Sequence, residues 1–235
     1  EPSDVVDQYV WLFDEYHPDL PEPYERSKID AADDPRRRAI ALIAESGGLD
    51  ALLRLAERAK LGGLVGAAVV DALFEMGLLK ELMNRALHLG ERLESFASAI
   101  SGEAARKLGI SWIEWVISEA SKGGWTPKQI SIAMLFWPDA PATWQAVSAF
   151  GSDVERMYWT NKPMLHIAEA DARAIAIRKY IEVERAVMAL ASVSHRSDAL
   201  PSAVLLELVD ASLKELTTGT IRPSGNFGFE LEEIF

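Results

Sequence analysis

The sequence predicts an all-α fold, and three observations support that prediction. Apolar residues recur every three or four positions, as on the buried face of an amphipathic helix; Trp112, Val116 and Ala120 are one example. Helix start and stop signals divide the chain into short segments. Alternation of apolar and polar residues, which marks a half-buried strand, is absent over any useful length. We therefore expect about 70% helix, against a background near one third.

Helix starts are marked by capping boxes and by proline. Ser111–Glu114, Thr126–Gln129 and Ser152–Glu155 each place a hydroxyl three residues before a Glu or Gln. In a capping box these two side chains satisfy free backbone amides of the first helical turn. Pro35 and Pro141 indicate two further starts, because the missing N–H of proline costs nothing at the first helical position.

Helix ends are marked by glycine, which adopts the left-handed conformation that often ends a helix. The predicted ends lie at Gly47–Gly48, Gly77, Gly90, Gly109, Gly123–Gly124, Gly151 and Gly219. The longest uninterrupted apolar face runs from about Asp171 to His195. That face predicts one long helix in this part of the chain.

The spacing of the starts predicts the architecture. Helices are expected to begin near residues 35, 49, 63, 78, 91, 111, 127, 141 and 153. Alternate starts are roughly 30 residues apart, and this period resembles that of α-helical repeat proteins, such as tetratricopeptide and HEAT-like arrays, over residues 35–216. The resemblance lies in period and layout, so it identifies no specific family. It implies a right-handed stack of antiparallel helix pairs, an α-solenoid; a compact helical bundle is the alternative.

The two ends of the chain differ from this predicted helical-repeat domain. Residues 1–34 contain one apolar helix, Val5–Phe13, followed by an acidic loop that contains proline. Residues 217–235 are rich in turn-forming residues and finish in a short amphipathic segment, Phe229–Phe235. The chain does not begin with Met and stops without a polar tail, so we expect a fragment of a longer polypeptide.

Composition limits the classes of partner and compartment. The chain has 36 acidic and 24 basic residues, a net charge of −12, and no cysteine. A negative field repels phosphate backbones and anionic lipids, so we expect neither nucleic acid nor membrane as a partner. The longest apolar run, Leu61–Val70, is far short of the roughly 18 residues that a membrane span needs. The lack of cysteine excludes disulfides and thiolate sites and fits a cytoplasmic location.

Catalytic and metal-binding motifs are not recognisable. The glycines of Gly62–Gly66 lack the lysine of a phosphate-binding loop, and we interpret them as a place where two helices approach closely. The stretch with His166, Glu169 and Asp171 could place a pair of metal ligands on one helical turn, but the second half of a metal site is missing. We therefore expect no metal, no cofactor and no enzymatic activity.

Three consecutive arginines, Arg36, Arg37 and Arg38, follow the predicted helix start at Pro35. Cations at a helix N-terminus oppose the helix dipole, by roughly 0.3–1 kcal/mol each. One interpretation is a solvated start that neighbouring acids neutralise. The other is a contact with an anion or an acidic peptide, made by guanidinium groups together with free amides.

Aromatic residues cluster in the middle of the chain, and the cluster suggests a binding surface. Its members are Trp112, Trp115, Trp125, Trp137, Trp144, Tyr158 and Trp159. One interpretation is that these residues are core. The other is a partly exposed aromatic groove on the concave side of the stack, where tryptophan often dominates binding energy. Such a groove in an acidic chain would favour a protein or peptide partner that carries Lys or Arg.

Three classes of function remain open at this stage. The favoured hypothesis is a protein–protein interaction module that acts as a scaffold or sensor. An all-helical enzyme whose site is assembled only by the fold is the second, and a structural or oligomerisation spacer is the third. The sequence leaves self-association of the chain open.

Overall fold

All the regular secondary structure in the described part of the chain is helical. The computed structural model describes residues 4–16, 35–163, 167, 169–193 and 200–218. These residues form twelve α-helices and no strand, which confirms the predicted all-α class. Among them, no helix is both long enough and apolar enough to cross a membrane. The chain divides into two compact units, residues 1–138 and 139–235, which we call the N-terminal unit and the C-terminal unit. Their boundary lies inside the predicted helical-repeat domain, residues 35–216.

The N-terminal unit contains seven α-helices among its described residues. They are α1 (Val5–Tyr9), α2 (Pro35–Arg58), α3 (Gly62–Ala72), α4 (Met76–Leu89), α5 (Glu94–Leu108), α6 (Ile110–Ser121) and α7 (Pro127–Met134). Short 3-10 helices, Val10–Phe13 and Glu91–Leu93, precede the segment 14–16 and α5. The central helix is α5, which packs against α3, α4, α6 and α7, while α2 packs against α1 and α3.

The C-terminal unit contains five α-helices among its described residues. They are α8 (Pro141–Ser148), α9 (Ser152–Asn161), α10 (Ala170–Glu182), α11 (Ala186–Val193) and α12 (Ser202–Thr217). Helices α10, α11 and α12 pack against one another, and α9 packs against α8 and α10. The predicted starts lie within two residues of an observed helix start, and the one near residue 49 follows Gly48, whose non-helical backbone (φ 60°, ψ −151°) divides α2 into two helical segments.

The capping box at Thr126 is confirmed. The Thr126 hydroxyl accepts from the Gln129 amide at 3.3 Å, and the Gln129 side chain accepts from the Thr126 amide at 2.8 Å. Gln129 also donates to the Leu87 carbonyl at 2.7 Å, so the same side chain joins the start of α7 to the last turn of α4.

The capping boxes predicted at Ser111 and Ser152 are wrong. Helix α6 begins at Ile110, one residue before Ser111, and α9 begins at Ser152 itself. Their N-caps are Gly109 and Gly151, with no side-chain cap bond. Both glycines have positive φ, so the chain turns sharply at the glycine and the serine is already inside the first turn.

Replacing Thr126 by Ala tests whether the capping box is present at Thr126 and absent at Ser111. We expect Thr126→Ala to lower the free energy of unfolding by about 1 kcal/mol, because it leaves an amide of the first turn of α7 without an acceptor. Ser111→Ala is the matched control, and a change within a few tenths of a kcal/mol is expected there. Urea unfolding followed by circular dichroism measures both, and equal losses would contradict the assignment.

Glycine ends most helices as predicted, with one correction. Gly90, Gly109, Gly123 and Gly151 have positive φ and follow α4, α5, α6 and α8. Gly77, in contrast, lies inside α4 as its second residue, so the predicted end there is wrong. The chain leaves α3 at Leu73, before that glycine. Gly48 bends α2, and Gly219 lies outside the described residues.

The single long helix predicted from Asp171 to His195 is also wrong. The described part of that range contains two helices separated at Val183–Arg185, and Glu184 has a φ of 58°. Glu215 of α12 explains the break, because its carboxylate accepts from the Ala186 amide at 2.5 Å and from the Val187 amide at 3.1 Å. This carboxylate caps α11 from 28 residues away, and the periodicity of the sequence contains no sign of it.

Candidate functional site

The predicted aromatic groove is buried at six of its seven positions, so the exposed-groove interpretation is wrong for them. The buried members are Trp112, Trp125, Trp137, Trp144, Tyr158 and Trp159, none more than 6% exposed. Only Trp115 is half-buried. The seven residues also belong to two different units, so they make two internal clusters.

In the N-terminal unit the tryptophans join helices through hydrogen bonds of their indole N–H groups. The indole N–H groups of Trp112 and Trp137 both donate to the hydroxyl of Ser101, at 3.1 and 3.0 Å. The Trp125 indole donates to the side chain of Asn84 at 3.2 Å. These bonds explain the burial, because a buried indole N–H without an acceptor is costly.

The half-buried Trp115 does not by itself form a groove. Its ring packs 4.7 Å from Trp112 and edge-on to Trp125 at 6.1 Å. The Lys80 ammonium lies 5.3 Å from its ring centroid, which is cation–π distance. This tryptophan therefore already has a cation as its neighbour.

In the C-terminal unit the aromatic residues lie beside a buried lysine that forms an ion pair. Trp159 contacts Trp144, Tyr158 and Tyr180 at ring distances of 5.3–5.5 Å. The ammonium of Lys162 is almost completely buried and lies 2.7 Å from an Asp139 carboxylate oxygen.

Burial lowers the pKa of Lys162, and the Asp139 carboxylate opposes that shift. Burial also raises the pKa of Tyr158 well above its ordinary value. Because the Lys162 side chain is closed to solvent, we assign its ion pair with Asp139 a role in holding the loop after α9. Arg185 has a similar role, since its guanidinium donates to the carbonyls of Trp159 and Lys162, each at 2.7 Å.

Arg36 binds the chain's own backbone. Its guanidinium donates to the carbonyls of Leu12, Glu15 and Tyr16, at 2.8, 2.7 and 3.1 Å. It therefore holds the end of the first 3-10 helix against the start of α2. The predicted anion or acidic-peptide contact stays a prediction for Arg37 and Arg38, each of which also has an interaction within the chain.

The metal ligands considered from the sequence are only partly visible. His166 lies outside the described residues, and Glu169 and Asp171 lie at the start of α10. Within the described ranges, no group of three or more His, Asp or Glu side chains is arranged to hold a metal ion.

The N-terminal unit carries an open groove that the sequence did not predict. Two adjoining depressions of about 510 and 350 Å³ share Ala99 and Phe136 in their lining. The floor consists of small residues from α3 and α5, namely Gly63, Ala67, Ala99 and Gly102. Phe136 and Tyr16 form aromatic walls, and the Phe136 residue is 44% exposed. We call this feature the small-residue groove.

Glycine positions explain why the groove forms. A Cβ at Gly66 would lie 2.5 Å from the Phe96 carbonyl oxygen, so α3 and α5 cross nearly in backbone contact. A Cβ at Gly102 would lie 2.5 Å from the Cβ of Phe136, so Phe136 rests on the backbone of α5. The predicted close approach at Gly62–Gly66 is thus confirmed. The aromatic ring beside it is a consequence that only the fold reveals.

The groove can bury apolar side chains, because its lining is mainly apolar and its floor has little side-chain bulk. The charged side chains in its lining, Lys60, Glu103 and Arg106, all take part in ion pairs within the chain. Comparison with known proteins gives no match to any family model, curated protein or solved structure.

Proposed function

We propose that this chain is a protein-interaction module whose small-residue groove binds an apolar segment of a partner protein. The observation that carries the proposal is Phe136, an exposed aromatic residue that stands beside a floor of glycine and alanine. Aromatic residues next to a recess are typical anchors of binding interfaces. A floor without bulky side chains lets a partner backbone approach closely, as in helix-in-groove recognition.

The dimensions of the groove fit a short helix. Its lining extends along α5 from Ser95 to Arg106, a distance of about 16 Å at 1.5 Å per residue. Three turns of a partner helix cover the same length. Such a contact is small for a permanent complex, so we expect reversible binding.

The packing of the N-terminal unit supports a stacked arrangement of helix pairs as the scaffold. The main helix contacts join elements one or two positions apart along the chain, such as α2 with α3, α3 with α5 and α5 with α7. Repeat proteins have this nearest-neighbour pattern, and they use their surfaces to scaffold other proteins. The interaction function therefore accords with an α-solenoid, in which the groove is one recognition surface.

Site-specific photo-crosslinking tests the proposed function in cells that express the chain. A photoreactive phenylalanine derivative replaces Phe136 in one variant and Phe74, a residue 53% exposed outside the groove lining, in the other. We expect a discrete crosslinked partner from position 136. Adding Ala99→Trp, which fills the groove, should abolish that product by excluding the partner's apolar side chains.

The control at position 74 distinguishes a contact in the groove from non-specific crosslinking at an exposed aromatic position. Identical products from both positions would contradict the proposal, and so would a product from position 136 that survives Ala99→Trp. Circular dichroism of each purified variant should match the unmodified chain, so that loss of the product reports the groove rather than unfolding.

A further inference from the structure

The two ends of the small-residue groove carry cations whose acidic partners are more buried. At the end near the start of α5, the Lys60 side chain is 72% exposed, whereas its partner Asp14 is 27% exposed. The separation between their charged atoms is 4.0 Å, the outer limit of an ion pair. The ammonium of Lys60 therefore retains donors that face solvent at this end.

The opposite end has the same arrangement. The Arg106 side chain is 64% exposed and its partner Glu103 is 31% exposed. The Arg106 Nε donates to the Glu103 carboxylate at 3.0 Å, and a terminal guanidinium nitrogen contacts the same oxygen. Because a guanidinium carries five N–H donors, Arg106 can still donate to a second carboxylate from a partner.

On these two observations, and on the proposed function of the groove, we propose that the partner segment is acidic at both ends. The occupant is a helix whose apolar face fills the small-residue groove and whose carboxylates meet Lys60 and Arg106. The groove lining along α5 is about 16 Å long, which corresponds to about eleven positions on such a helix, so its acidic residues are expected about that far apart. The apolar residues lie between them, at helical spacing.

This partner differs from the basic peptide that the net charge of −12 suggested for the aromatic stretch. The difference follows from screening, because exposed charges beyond about 8 Å contribute little at physiological ionic strength. A bound segment therefore responds to the cations at the ends of the groove more than to the average charge of the chain.

Two designed helical peptides test the inference by fluorescence anisotropy with the full chain. Both share one apolar face; one carries Glu at the two flanking positions and the other carries Lys. We expect the Glu peptide to bind about five-fold more tightly at low salt, from two exposed ion pairs. Salt should reduce this preference. The double variant Lys60→Gln/Arg106→Gln should remove it while apolar binding remains.

The outcomes distinguish this inference from the proposed function. If both peptides bind equally and Ala99→Trp blocks both, the acidic partner is contradicted and the groove function stands. Tighter binding of the Lys peptide contradicts the inference in the same way. If neither peptide binds, or if Ala99→Trp leaves binding unchanged, the proposed function itself is contradicted.

Discussion

Replacing Ser101 by Ala is expected to lower the free energy of unfolding by about 2–4 kcal/mol, far more than removal of one hydroxyl usually costs. The hydroxyl accepts from both Trp112 and Trp137, and Ser101 is completely buried. The substitution leaves two buried indole N–H groups without an acceptor, and each unsatisfied donor costs about 1–3 kcal/mol. These bonds join α5 to α6 and to the chain after α7. The loss should therefore lower the midpoint of a single cooperative unfolding transition.

Ser98 provides a matched control on the same helix. It is as buried as Ser101, but its hydroxyl donates only to the Ser95 carbonyl of its own helix, at 3.1 Å. Ser98→Ala should change stability by less than about 1 kcal/mol, because the helix loses no tertiary bond and gains in intrinsic propensity. Thermal and urea unfolding measure both variants. Similar losses at the two positions would show that the shared acceptor at Ser101 is unimportant.

The helix boundaries were predictable because the signals that set them are local. A proline at the first helical position, as at Pro127 and Pro141, acts within one turn of the chain. The same holds for glycines with positive φ at the ends of α4 and α5. The prediction of one helix across residues 183–185 failed because the signal there is not local. The carboxylate that caps α11 belongs to Glu215 of another helix.

The candidate site was less predictable, because burial depends on which helices meet. The tryptophans do cluster in the sequence, yet their burial in the N-terminal unit depends on hydrogen bonds to Ser101 and Asn84, polar residues that precede the whole cluster in the chain. The small-residue groove joins Gly63 with Phe136, which are more than 70 positions apart. Its only sequence signal was the glycine spacing at Gly62–Gly66, which indicated a close helix approach but not the aromatic wall beside it.

Replacement by alanine should change the free energy of unfolding differently at two glycines of α3, Gly66 and Gly63. A Cβ at Gly66 would lie 2.5 Å from the Phe96 carbonyl oxygen and 3.0 Å from the Ala99 Cβ. Gly66→Ala should therefore force α3 and α5 apart and lower the free energy of unfolding by about 2 kcal/mol, even though alanine favours helix. At Gly63 the nearest atoms to an added Cβ are 3.6 and 3.9 Å away, an ordinary contact distance.

Gly63→Ala should accordingly be neutral or raise stability by up to about 1 kcal/mol, through intrinsic helix propensity alone. Differential scanning calorimetry of the two variants gives the comparison directly. Because the added methyl group is identical, the difference between the variants isolates the contact between α3 and α5. Stabilisation by both substitutions would mean that the two helices do not cross in backbone contact, and the floor of the groove would then be wider than the structure has it.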